Sequence, residues 1–67
     1  MNIILNRFET NNCVIYVIDT EFENFGEKIY CLVSVHNKDL HQNIRFGNKV
    51  QINSMIKSYR INNNFRL

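Results

Sequence analysis

Proline is missing from this 67-residue chain, glycine occurs only at Gly26 and Gly47, and the two cysteines form no CxxC pair. Each shortage excludes something. Two isolated glycines make neither a Walker loop nor a glycine-rich phosphate cradle. Cys13 and Cys31 have no zinc-ligand spacing with histidine or each other, and no serine or cysteine stands in a nucleophile motif. Proline's absence beside abundant asparagine points to an AT-rich coding sequence, not to a mechanism. Long apolar runs are lacking too. Met1-Asn2-Ile3-Ile4-Leu5 is too short for a signal peptide or a membrane span, so the expectation is a soluble, cytoplasmic protein without a membrane partner. In a reducing compartment the cysteines are expected to be free thiols. A domain of this size buries only about 60% of the surface that its unfolded chain exposes, and with no staple to help it tends to need a partner.

What is present is β-rich. Cys13-Val14-Ile15-Tyr16-Val17-Ile18 is a short run of mostly β-branched and aromatic residues, which reads as a strand buried on both faces. It runs into Asp19-Thr20-Glu21. Before it, Asn2 to Phe8 carries Ile3-Ile4-Leu5 and reads as a first strand, with Glu9-Thr10-Asn11-Asn12 as the turn. The central strand is expected to stop near Thr20, with Glu23-Asn24-Phe25-Gly26-Glu27 as the second turn. Lys28 to His36 forms a third strand, also apolar on nearly both faces, and Ile44-Arg45-Phe46 a short fourth.

The period then changes. Ile52, Met55, Ile56 and Tyr59 recur at helical spacing. Asn48 is a candidate N-cap, and Gln51 completes the pattern of a capping box. Lys57 and Arg60 suit the last turn of a helix, and Asn62-Asn63-Asn64 is expected to end it. The fold class is α+β: one domain, residues 1–67, with a small antiparallel β-meander of three to four strands and one C-terminal amphipathic helix. In that hairpin register Cys31 faces Val17 or Ile18 and Cys13 lies beyond Val33, so the thiols do not meet.

One helix covers one face of a sheet. The two central strands have two apolar faces to hide, so Val14 and Tyr16 are expected on a face that needs another cover. Self-association into a homo-oligomer answers this most simply, and a foreign protein partner is the next answer.

Charge is divided along the chain. Up to Ser34, Glu9, Asp19, Glu21, Glu23 and Glu27 outweigh Arg7 and Lys28. Beyond it, Lys38, Arg45, Lys49, Lys57, Arg60 and Arg66 face Asp39 alone, and the formal net charge is +2. Arg45, Lys49, Lys57, Arg60 and Arg66, with Tyr59 and Phe65 among them, are candidate phosphate contacts for a nucleic-acid-binding alternative. Tyr59 also lies on the apolar stripe, which suits a core residue. Phe22 and Phe25 lie among Glu21, Glu23 and Glu27, so these five residues are candidate anchors and steering charges for a protein partner. The other reading is that both rings fold back to cap the sheet. His36-Asn37-Lys38-Asp39-Leu40-His41 has metal-ligand residue types, but its lysine opposes a cation and a polar surface loop fits better.

Val17-Ile18-Asp19-Thr20-Glu21-Phe22, followed by a turn and Ile29-Tyr30-Cys31-Leu32-Val33-Ser34-Val35, resembles the opening strands of DEDD-type 3′–5′ exonuclease domains. In that family an Asp-x-Glu at a strand end binds paired divalent metals for phosphodiester hydrolysis. The resemblance covers residues 13–35 and implies Asp19 and Glu21 as metal ligands. The family's further carboxylates have no counterpart here, so it implies a shortened module, inactive alone. The leading expectation is instead a small protein-binding module without cofactor. It would act by stoichiometric occlusion of a partner surface, in the style of phage or mobile-element inhibitors of nucleic-acid-handling enzymes.

Overall fold

β-branched side chains fit a pleated surface because their restricted rotamers are already suited to it. The two stretches richest in them pair at the centre of a four-stranded antiparallel sheet of order β1-β2-β3-β4. The computed structural model describes residues 3–59. β1 is Ile3–Glu9, β2 Cys13–Asn24, β3 Glu27–His36 and β4 Gln42–Gly47, and the helix α1, Lys49–Ser58, follows. The α+β meander with a single following helix is therefore the observed architecture.

The turns have local causes. Thr10 Oγ1 accepts the N–H groups of Asn12 at 3.2 Å and Cys13 at 3.0 Å, which folds β1 back on β2. Between β2 and β3 the turn is only Phe25-Gly26, since Asn24 already pairs with Glu27. Both turn residues have positive φ, 51° and 78°, the type I′ geometry whose twist matches the flanking strands. β2 thus runs past the end expected near Thr20. It does so through a bulge, where Thr20 and Glu21 are inserted between the Asp19–Tyr30 and Phe22–Ile29 pairs.

Register sorts the side chains. On one face Phe8 stands opposite Ile15, Ile15 opposite Ser34, and Val17 opposite Leu32. These residues and Cys13 are buried together with Ile52 and Ile56 of α1, each large side chain contributing about 1.5–3 kcal/mol by its removal from water. Ser34 is fully buried among them. The Tyr59 hydroxyl donates to its Oγ at 3.2 Å, which offsets the penalty of a buried polar group. Tyr59 is therefore partly buried against the core, as its place on the helical stripe suggested.

α1 begins with a complete capping box. Asn48 Oδ1 accepts from the Gln51 N–H at 2.9 Å, and Gln51 Oε1 accepts from the Asn48 N–H at 2.8 Å. A Cβ on Gly47 would lie 2.8 Å from the Gln51 Cβ, so the tight passage from β4 into the helix requires glycine. The helix stops at Ser58, with Tyr59 as C-cap donating its N–H to Ile56 and Lys57. This is earlier than the Asn62-Asn63-Asn64 stop expected from sequence. Those residues, Arg60, and Phe65-Arg66-Leu67 lie outside the described residues.

α1 packs on β3 and β4 from one side. The opposite face carries one row of Ile4, Ile18, Cys31 and Phe46 and a next row of Arg7, Tyr16, Val33 and Ile44, followed by Val14 and Val35. Among the described residues nothing covers it. Cys13 and Cys31 are free thiols on opposite faces, Cys13 across from His36 and Cys31 across from Ile18. Desolvation on burial pushes the Cys31 thiol up from its ordinary pKa.

Candidate protein interface

Among the described residues, β1 pairs with β2 no further than Asp19, and β4 with β3 no further than Tyr30. Residues 20–29 consequently leave the sheet as a two-stranded arm. A lone hairpin is only marginally stable in water, and the root of this one is tied down. Thr20, 8% exposed, donates its hydroxyl to the Ile29 carbonyl at 2.6 Å and accepts the Phe22 N–H at 3.1 Å. Asp19 Oδ1 accepts the Glu21 N–H at 3.0 Å, and Asp19 Oδ2 pairs with Lys28 Nζ at 2.7 Å. Lys28 also sits 5.7 Å from the centre of the Tyr30 ring. The Lys28 hydrogen bond, then the Glu21 amide, hold the Asp19 carboxyl below its usual range. The same bond from Asp19 raises Lys28.

Beyond that root the arm is undressed. Phe22 is 68% exposed and Phe25 is 100% exposed. The rings do not fold back to cap the sheet. Glu21, Glu23 and Glu27 are exposed around them, and the ion pairs among the described residues are Arg7–Glu9 and Lys28–Asp19. Among the described residues, the acidic groups of the tip have no ion pair of their own. Phe25 holds φ of 51° and Glu21 φ of 64°, a region that disfavours side chains by roughly 1–2 kcal/mol per residue.

The remaining sequence candidates fall elsewhere. Val14 and Tyr16 are half-buried on the face away from α1. Asp19 and Glu21 are not side by side on one edge of a regular strand, because the bulge turns Glu21 into the left-handed region while Asp19 is engaged by Lys28. Arg45 is exposed on β4, Lys49 in the first turn of α1 and Lys57 in its last. Eight residues separate the two lysines, about 12 Å of helical rise, so they mark the two ends of the helix. Arg60 and Arg66 lie outside the described residues. His36 and His41 have ring centres 6.2 Å apart, and Asp39 Oδ1 accepts the His41 N–H at 3.0 Å, which shapes the loop. Among the described residues no three His, Cys, Asp or Glu side chains gather as ligands for a metal.

Sequence reasoning missed four residues, two at the root of the arm and two on β4. Lys28 enters the sequence reading as a charge and as the start of the third strand, although its place across from the acidic triplet was a signal of pairing. Thr20 is expected only as the approximate end of the central strand, and it is the lock of the bulge. Ile44 and Phe46, 57% and 60% exposed, extend the uncovered face to the sheet edge, and their alternation with Arg45 was the available clue.

No helix among the described residues is long and apolar enough to cross a membrane. Comparison of the chain with protein-family models, curated proteins and solved structures finds no match.

Proposed function

We propose that the chain is a protein-binding module that acts by occupying a partner's surface with the 20–29 arm. The observation that supports this reading best is Phe25. Its ring has no cover in the fold, and its backbone sits where asparagine or glycine is at ease and phenylalanine is not. Neither packing nor turn chemistry accounts for an aromatic there, and unexplained strain of this kind is characteristic of recognition sites. A large rigid ring in a setting of acidic charge is the composition of an interface anchor with electrostatic steering.

The complementary surface is basic with an apolar recess, as found on enzymes that handle nucleic acid. Glu21, Glu23 and Glu27 would oppose its cationic groups while Phe25 fills the recess, so that one copy of the module occludes one site. The test is retention of proteins from extracts of the producing cells on immobilised chain. The reading expects a protein held in stoichiometric amount by the wild type and by Val50→Ala, and released by Phe25→Ala and by Glu23→Gln/Glu27→Gln. Equal retention by all four overturns it. Salt-sensitive retention on DNA or RNA that is lost with Lys49→Ala/Lys57→Ala would favour the nucleic-acid alternative instead.

A further inference from the structure

We infer that the sheet face turned away from α1 is the contact surface for a second copy of this chain, giving a two-layer β-sandwich. Apolar pairing runs across the whole width of that face, from Ile4 on β1 through Ile18 and Cys31 to Phe46 on β4, with Ile44 in the next row. The covered face, by contrast, places Asn6 opposite Val17 and Arg45 opposite Leu32 at its margins. The face open to water is thus the less polar of the two, which inverts the usual order for a one-sided sheet.

Charge selects the occupant. Among the described residues the charged groups on this face are Arg7 and Glu9, and they neutralise one another at 2.7 Å. Two copies therefore meet without like-charge repulsion, and nothing on the face steers a charged foreign partner. The arm shows the opposite character, with acids left unbalanced. Shape agrees, because the natural complement of a flat sheet is another sheet about 10 Å away. Size sets the strength. Four strands about 4.8 Å apart and three rows of side chains about 7 Å apart make a patch of roughly 400 Å² per copy. With side-chain relief the pair approaches the lower limit of about 1,000 Å² for a specific interface. The association is concentration-dependent and of modest affinity.

Sedimentation equilibrium from micromolar to near-millimolar protein tests it. Ile44 and Phe46 are more than half exposed on an edge strand, so a carboxylate at either site stays hydrated in the single copy. Val50, 76% exposed on α1, is the control off the face. Wild type and Val50→Glu are expected to dimerise with the same dissociation constant, and Ile44→Glu and Phe46→Glu to weaken it at least tenfold. A wild type monomeric throughout overturns the inference and leaves the face to a foreign partner, and so does a dimer indifferent to both face variants or equally lost in Val50→Glu. If a face variant loses its circular-dichroism signature, dilution of labelled wild type decides. Methyl resonances of Ile4, Ile18 and Ile44 should shift while that of Ile52 stays fixed, and uniform constancy overturns the inference.

Discussion

Replacing Phe25 by asparagine should make the fold more stable. The ring is wholly exposed, so removing it returns no buried surface to water and opens no cavity. The backbone at φ of 51° meanwhile passes to a residue that tolerates the left-handed region. Left-handed geometry disfavours an ordinary side chain by roughly 1–2 kcal/mol. Asparagine recovers part of this, giving a gain on the order of 0.5–1 kcal/mol, and Gly26 already supplies the second turn position. Urea unfolding followed by far-ultraviolet circular dichroism would register the gain as a higher midpoint with unchanged slope. The same variant should lose the partner retained by the wild type. A residue that weakens the fold and is needed for recognition is the signature of a site maintained for binding. Loss of about 1 kcal/mol or more in Phe25→Asn would refute the reasoning, because it would mean that the ring packs on something in the folded chain.

Three further outcomes follow from the same geometry. Ile56, 7% exposed against the core, should lose about 2–5 kcal/mol on change to alanine, while Lys57→Ala one residue on should be nearly neutral; equal midpoints in chemical denaturation would contradict the assigned helix face. Asp19 has a lowered carboxyl in the folded state, so its contribution is complete above the unfolded value of about 3.9 and is lost as pH falls through the lower folded value. The Glu21 amide resonance should therefore titrate below the ordinary carboxylate range, and Lys28→Ala should move that midpoint upward; an ordinary midpoint in the wild type would show the link is not formed. With Asp19 held by Lys28 and Glu21 turned away, labelled single- and double-stranded DNA should survive incubation with the chain in magnesium or manganese. Degradation abolished by Asp19→Asn/Glu21→Gln would instead establish a working metal centre.

Strand and helix identities were legible because they rest on local chemistry. The β-branched runs, the Asn48–Gln51 box and the Ile52-Met55-Ile56-Tyr59 stripe each require only neighbours in sequence. The two apolar faces of β2 and β3 likewise announced a surface that nothing among the described residues covers, before any register was known. What sequence did not reveal depends on insertion and exposure. The bulge at Thr20-Glu21 hinges on a hydroxyl reaching the Ile29 carbonyl, a bond between residues that no spacing rule links. It both lengthened β2 and separated Asp19 from Glu21. Whether Phe22 and Phe25 turned inward was equally open, because a positive φ at phenylalanine runs against its preference and no pattern of residues signals it.

Site-specific photocrosslinking in the producing cells tests the central claim most directly. A benzoylphenylalanine placed at position 25 puts the reactive group where the exposed ring now stands, and one at position 50 places it on the exposed side of α1. The account predicts a single major adduct to a foreign protein from position 25 and none of that adduct from position 50. The same adduct from position 50 with none from position 25 would contradict it, and so would the absence of any adduct from position 25 in cells where the chain is bound to a partner.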